Sequence, residues 1–385
     1  MECGDWSPLS KGLTSQRSPK RVVLDHRMTL QFTAIMSPNF LLYGANGYTG
    51  NLIAHMASER GLRPIIAGRD AFEVERLARE LNLDYRIFAL DDAAAMDAAL
   101  NEVTVVLHCA GPFSRTSKPM ADGCLRTGTH YLDITGEATV IESLAARDAK
   151  AKEAGVMLLP CVGFDVVPSD CLAAHLKRRL PSATKLALAI KGMGRVSRGT
   201  ATTMVENISR GGLVRRNGKL TSVPAAWKTR MIDYGRGPVQ ATTIPWGDVA
   251  SAYYSTGIPN IEVYAAIPAK LRRMMKLSRS FGWLLGSGPV QRFLKKRIGN
   301  QPAGPDETER EKGKSFVWGE VQDDAGGRAV SRLRGPEGYK LTAMTSLAIV
   351  SRVLGGDVSP GFQTAAKAYG PDLIMEIEGV VREDL

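Results

Sequence analysis

Gly44-Ala45-Asn46-Gly47-Tyr48-Thr49-Gly50 follows the apolar run 39–43 and opens a stretch of helical pattern. In that setting glycines do more than turn a chain: they let it wrap a dinucleotide. Gly44 permits the tight turn, Gly47 lets backbone amides approach a pyrophosphate, and Gly50 lets helix and strand pack closely. The helix that starts at Tyr48 and Thr49 offers unpaired N–H groups and a partial positive charge to phosphate. Asn46, Tyr48 and Thr49 join the three glycines as candidate cofactor contacts. The spacing is GxxGxxG rather than GxGxxG, and a glycine triplet alone also marks ordinary turns. The alternating elements around it carry the reading.

About 20 positions further on, at the end of the second expected strand, an acid would bind the ribose hydroxyl of NAD and an arginine the 2′-phosphate of NADP. The residues there are Gly68-Arg69-Asp70. Arg69 comes first, which points to NADP, with Asp70 suited to capping the next helix. Ala110-Gly111-Pro112-Phe113 ends the fourth strand and would bring the chain close to the nicotinamide ribose. Reducing a C=C or C=N bond also needs a proton. Asp133 and Glu137 flank Thr135-Gly136 and are the candidate catalytic carboxylates, although Asp133 also suits capping a turn. Tyr253 and Tyr254 are the alternatives from the second half, in a stretch read as strand where at most one of them faces the cleft. The five histidines, at 26, 55, 108, 130 and 175, show no HxxxH or HxH spacing, and the five cysteines form no CxxC pair. The pattern points to no metal site and no disulfide scaffold, and the expected compartment is the cytoplasm.

These residues need strand ends to position them. Strands are expected at 39–43, 64–68, 85–89, 103–109, 131–133 and 156–160, and helices at 49–60, 71–81, 93–100, 120–127 and 141–154. That alternation makes an α/β fold, a doubly wound parallel sheet with helices on both faces. Ligands of such a sheet lie beyond the carboxyl ends of its strands, where every candidate above falls. After Gly163 the regularity is lost. Residues 185–191 and 239–265 read as strands, and 316–321 with 328–334 as a hairpin about Asp324-Ala325-Gly326-Gly327. Helical pattern returns at 341–354 and 361–369.

Hydrophobic residues at 44% and charged residues at 23% exclude a disordered chain, a collagen-like fibre and a multi-span membrane protein. The net charge of +11 favours anionic partners without choosing among them. Most of it is local: residues 263–300 hold nine basic side chains and no acid. Leu271, Met274, Met275, Phe281, Trp283, Leu284, Leu285 and Phe293 interleave with them, a pattern suited to a peripheral membrane contact or an acidic protein partner, or to a solvated helix face. No recognition motif accompanies the charge, so nucleic acid is not expected. Residues 1–35 lack apolar periodicity and are expected to be a disordered extension, with the folded protein opening near Met36.

Several separated motifs together carry a resemblance. They are the 44–50 loop, Cys109-Ala110-Gly111-Pro112-Phe113, Tyr131-Leu132-Asp133-Ile134-Thr135-Gly136-Glu137 and Gly163-Phe164-Asp165-Val166-Val167-Pro168-Ser169-Asp170. Ser197-Arg198-Gly199-Thr200, Pro245-Trp246-Gly247-Asp248, Thr256-Gly257-Ile258-Pro259-Asn260, Gly338-Tyr339-Lys340-Leu341-Thr342-Ala343 and Ser359-Pro360-Gly361-Phe362 follow in order. Over roughly residues 38–380 the chain resembles the saccharopine dehydrogenase-like oxidoreductases, a group that includes the trans-acting enoyl reductases. Where family members often carry a tyrosine and a glycine after the GPF turn, this chain has Ser114-Arg115-Thr116-Ser117-Lys118, with Lys118 either a substrate contact or a solvated lysine.

The resemblance implies a Rossmann-type NADP-binding domain at 36–165, an inserted α+β substrate domain at 166–338, and C-terminal helices at 339–385 packing back on the first domain. It implies an NADP-dependent oxidoreductase reducing an enoyl C=C or a C=N bond of an acyl or lipid-like substrate, small or carrier-bound, in a chain that could form a homodimer. The alternatives are a saccharopine-type amino-acid dehydrogenase, whose dicarboxylate substrate would require arginines such as Arg198 and Arg210 to converge, and a non-catalytic NADP-sensing or membrane-associated scaffold.

Overall fold

The computed structural model describes residues 40–192, 194–207 and 211–385, without the side chains of 207 and 280–285. The expectation for 1–35, and those for Phe281, Trp283, Leu284 and Leu285, lie outside the described residues.

The first half alternates as its pattern demands. In order come β1 (Phe40–Tyr43), α1 (Tyr48–Glu59), β2 (Ile65–Gly68), α2 (Ala71–Leu81), β3 (Tyr85–Ile87), α3 (Ala93–Leu100), β4 (Val105–His108) and α4 (Phe113–Thr127). Next are β5 (His130–Asp133), α5 (Ala138–Ala145), α6 (Asp148–Glu153), β6 (Met157–Leu159) and α7 (Val167–Arg179). Strands β1, β2 and β4 are buried along their whole length because helices cover both faces of a parallel sheet. Local chemistry sets the helix ends. Asp70 and Asp92 cap α2 and α3 by accepting from Glu73 N and Ala95 N, and Gly128, at φ 77°, stops α4.

The second half contains β7 (Lys185–Lys191), α8 (Arg198–Asn207), β8 (Gly212–Arg216), β9 (Lys219–Val223), β10 (Thr229–Asp233), β11 (Pro238–Thr243), α9 (Asp248–Thr256) and β12 (Asn260–Ala265). After these come α10 (Ala269–Leu285), α11 (Gly288–Gly299), α12 (Glu307–Lys312), β13 (Lys314–Gln322), β14 (Arg328–Pro336), α13 (Gly338–Leu354), β15 (Gly361–Phe362), α14 (Ala365–Tyr369) and β16 (Val381–Asp384). The first sheet runs β15-β6-β5-β4-β1-β2-β3, all parallel. The second runs β10-β11-β12-β7-β13-β14-β16, with β8 and β9 attached beside β12. It is mixed: β12 and β7 are parallel, while β7, β13 and β14 are antiparallel neighbours. One apolar core extends from β1 through α7 and α9 to β13 and β14, and a smaller cluster around Tyr234, Tyr264 and Trp318 forms a second one.

Four expectations are corrected. Residues 239–265 are not continuous strand: β11 and β12 bracket α9, which Gly257 ends at φ 70°. The helix expected at 141–154 is two helices broken at Ala146-Arg147. The helix expected at 120–127 begins at Phe113 and so takes in Ser114–Lys118. Residues 361–369 begin as an edge strand of the first sheet, with only 365–369 helical. At the C-terminus, 381–384 is a strand of the second sheet.

His108, at the end of β4, is fully buried among the rings of Tyr43, Phe113 and Tyr131, and neither ring nitrogen has a hydrogen-bond partner. Burial drops its pKa to about 3 from 6.5. The unfolded chain therefore takes up a proton that the fold does not, and this stability is lost as pH falls from 6.5 towards 3. His108→Leu is expected to flatten the acid side of a melting-temperature–pH profile. An unchanged acid slope would show that His108 does not set it.

Candidate functional site

Strand order reverses between β1 and β4, because β2 and β3 extend one way from β1 while β4, β5 and β6 extend the other. A doubly wound sheet opens its ligand crevice at that point. Both sequence-identified turns meet there. Gly44 has φ +84°, and a Cβ on it would lie 2.8 Å from Ala110 N and 2.9 Å from Ala110 Cβ. A Cβ at Gly50 would overlap the Gly44 carbonyl oxygen and lie 2.9 Å from Ala45 Cα. Only glycine allows this approach of strand, helix and neighbouring turn. Gly47 caps α1 without a side-chain bond, and the first turn holds no acid. The helix N-terminus is thus left to an outside anion. Asn46 is exposed, and its Oδ1 reaches the end of β2, lying 3.1 Å from where a Gly68 Cβ would be.

At that end the two polar residues divide their work. Asp70 Oδ1 accepts from Glu73 N at 3.2 Å and is committed to α2. Arg69 is exposed and makes no hydrogen bond or ion pair among the described residues. Its guanidinium is available to a 2′-phosphate. These features fit an NADP molecule: a backbone cradle that any side chain would fill, an uncommitted helix N-terminus and an uncommitted arginine.

On the far side, Ala110, Gly111 and Pro112 lead into α4, with Thr116 Oγ1 donating to Ala110 O at 2.7 Å. Phe113 N donates to Glu137 Oε1 at 3.1 Å, so Glu137 ties the loop after β5 to the start of α4. Asp133 does not open onto the cleft. It is fully buried and accepts from Tyr131 Oη at 2.6 Å, Thr135 N at 2.9 Å and Cys161 N at 2.9 Å. Burial pushes its pKa up to about 6 even against these bonds. Its geometry is that of a peg holding the ends of β5 and β6 together.

A carboxylate not among the expected site residues lies beside this loop. Asp165 follows Gly163-Phe164, which α13 holds: Phe164 N donates to Thr342 Oγ1 at 3.0 Å, and a Cβ on Gly163 would lie 2.8 Å from Thr342 Cγ2. The Asp165 carbonyl accepts from Trp246 Nε1. Its carboxyl stands against Gly136, 2.9 Å from where a Cβ there would be, and makes no hydrogen bond or ion pair among the described residues. Desolvation pushes its pKa up to about 6. Tyr339 of α13 receives Ser197 N at 2.6 Å, bonds Thr200 Oγ1 at 3.1 Å and packs edge-on to Tyr48 at 5.0 Å. Tyr48 Oη donates to Pro305 O at 2.6 Å and accepts from Arg310 at 3.1 Å. Asp165 is legible as an acid two residues past a glycine after a strand; its neighbour Gly136 is remote in sequence, and nothing local points to it.

Other candidates lie elsewhere. Lys118 is on α4, exposed and paired with Asp122 at 2.7 Å. Tyr253 and Tyr254 are on α9, where Tyr254 Oη donates to Glu142 Oε2 at 2.7 Å and Tyr253 lies 4.3 Å from the Arg215 guanidinium. Arg198 Nε donates to Gln301 O at 2.6 Å, while Arg210 is outside the described residues. Among the described residues no group of three or more His, Cys, Asp or Glu side chains is placed to hold a metal ion.

Residues 40–159 match the saccharopine dehydrogenase NADP binding domain. Over 158 residues the chain is 34% identical to a trans-acting enoyl reductase of Mycobacterium leprae, an alignment covering 38% of each protein. It is 26% identical over 162 residues to a saccharopine dehydrogenase-like oxidoreductase of Bos taurus, covering 37% of this chain and 38% of that one. The similarity thus spans well under half the length of these relatives. Across 90% of this chain and all of the other, the fold is similar to apo saccharopine dehydrogenase (L-Glu forming) from Saccharomyces cerevisiae, with a TM-score of 0.62 at 11% identity. That likeness concerns the fold alone.

Proposed function

We propose that this chain, in which residues 40–159 are an NADP-binding domain of the saccharopine dehydrogenase kind, is an oxidoreductase that reduces the C=C bond of an enoyl group on an acyl or lipid-like substrate. When bound, the reduced nicotinamide supplies the hydride. The protein's own work is to bind the dinucleotide on the 44–50 loop and Arg69 and to hold a proton on the Asp165 carboxyl. The observation that carries this reading is that carboxyl, beside the loop after β5 with no hydrogen-bond or ion-pair partner of its own among the described residues. A carboxyl with a pKa of about 6 is a competent general acid near neutrality. Asp133 holds the ends of β5 and β6 together, and Glu137 ties the loop after β5 to the start of α4. The enoyl acceptor is preferred to an amino-acid imine because Arg198 already donates to Gln301 O and because a trans-acting enoyl reductase is 34% identical over 158 residues.

The test is NADPH oxidation with a 2-enoyl thioester, free or carried on an acyl carrier protein, beside an imine formed from an amino acid and an aldehyde. Turnover of the thioester is expected. Turnover of the imine alone would replace the substrate class, and tight NADPH binding with neither turnover would favour a scaffold. Calorimetry should find NADPH bound more tightly than NADH, and Arg69→Ala should narrow the gap by about tenfold or more, the worth of a charge-assisted bond. Equal affinities in the unaltered protein would remove Arg69 from this role.

A further inference from the structure

We infer that the consecutive helices α10 and α11 are a docking surface for an anionic lipid bilayer. Residues 263–300, which include them, hold nine Lys and Arg side chains and no acid. Three of the nine have partners in the fold: Arg279 donates to Ala225 O and Ala226 O, Lys295 pairs with Glu206 at 2.5 Å, and Arg297 stacks on Phe293 at 5.8 Å. Lys270, Arg272, Arg273, Lys276, Arg292 and Lys296 make no hydrogen bond or ion pair among the described residues.

The same surface is apolar where an ordinary solvated helix would be polar. Leu271, Met274 and Leu277 are 44%, 53% and 63% exposed, and Phe293 of α11 is 60% exposed. Residues 271, 274 and 277 are spaced by three, so they share one side of α10, with Lys270 and Arg273 on the same side. Inward, α11 is fixed to α8 by Gln291 Nε2 on Val205 O at 2.8 Å and by the Lys295–Glu206 pair. The outward side therefore presents large apolar side chains in a field of a single sign. Water-facing surfaces mix charges of both signs and scatter their apolar residues. A basic helix with an exposed apolar side instead lies in the plane of a membrane interface, its cations on anionic headgroups and its apolar side chains among the upper acyl carbons. No helix among the described residues is long and apolar enough to cross a membrane, so the contact is with the surface.

The two components of this binding respond differently. Lys and Arg act through a field that is screened within about 10 Å at 0.1 M salt, whereas apolar insertion is not screened. The experiment is flotation of the full chain with vesicles of phosphatidylserine and phosphatidylcholine, and with vesicles of phosphatidylcholine alone. Binding to the mixed vesicles is expected to be at least about tenfold tighter, and to weaken with salt without vanishing. Lys270→Gln/Arg273→Gln/Lys276→Gln should reduce it about tenfold or more. Leu271→Ser/Met274→Ser/Leu277→Ser should make the remainder fully salt-sensitive. NADPH affinity serves as the folding control and should stay unchanged in both variants. No flotation at low salt overturns the inference. So does equal competition by soluble polyglutamate together with indifference to the serine variant, because that combination describes an acidic protein partner.

Discussion

Asp165→Asn is expected to lower kcat/KM for enoyl reduction at neutral pH by about 10²- to 10⁴-fold, the usual worth of a positioned general acid, with the NADPH dissociation constant unchanged. The amide keeps the volume, and the native carboxyl makes no hydrogen bond or ion pair that the change could break among the described residues. What is lost is the transferable proton. In the unaltered protein the acid must be protonated in the free enzyme, and desolvation places its pKa at about 6. The rate of reduction should therefore fall as pH rises through 6, and the residual rate of the variant should not follow that titration. Asp133 has a similarly raised pKa of about 6 but is enclosed by three donors. Asp133→Asn should show its effect in melting temperature, because an amide cannot accept from all three donors at once. A pH–rate profile that keeps its shape in Asp165→Asn would move the proton to another group.

Arg215→Ala should lower unfolding free energy by about 2–3 kcal/mol, less than the about 3–5 kcal/mol for breaking a fully buried ion pair because Glu142 is 31% exposed. Arg215 is 3% exposed on β8. It pairs with Glu142 of α5, donates from Nε to Val249 O at 2.8 Å and from Nη1 to Gly218 O at 2.7 Å, and lies over the Tyr253 ring. Truncation leaves the Val249 and Gly218 carbonyls without their side-chain donor, and Glu142 with Tyr254 Oη but without its cation, at the seam between the first sheet's helices and the second sheet. The midpoint of denaturant unfolding should drop accordingly. The double variant Arg215→Met/Glu142→Gln should recover part of the loss, because it removes the stranded charge as well as its partner. An unchanged midpoint in Arg215→Ala would mean that the pair contributes nothing net.

The nucleotide-binding half could be read from its residues because its signals are local. Asp70 sits beside the helix it caps, and Gly44 is adjacent to the strand it ends. The second half was read less well for an equally physical reason. Val249, Ala252, Tyr253, Tyr254 and Thr256 include several strand formers, yet they occupy a helix, α9, because burial against α7 and β12 outweighs weak propensity. Asp165 is not legible as a site acid because Gly136, against which its carboxyl stands, lies 29 positions before it in the numbering. Asp133 drew attention for the opposite reason. A strand-end acid looks catalytic until the three donors around it are counted, and two of those come from backbone at 135 and 161.

Tyr48 occupies two structures at once. It is the first residue of the helix that follows the 44–50 glycine loop, and its hydroxyl is held by Pro305 O and Arg310 while Gly304 lies so close that a Cβ there would be 2.6 Å from the ring. Occupancy of the phosphate cradle and the placement of residues 304–310 therefore share one side chain. Linkage makes such sharing reciprocal: whatever free energy a bound dinucleotide gains from one placement of Tyr48, that placement of 304–310 returns to the dinucleotide. Arg310→Ala in α12 is therefore expected to change the NADPH dissociation constant through Tyr48, and an unchanged constant would show the two to be uncoupled.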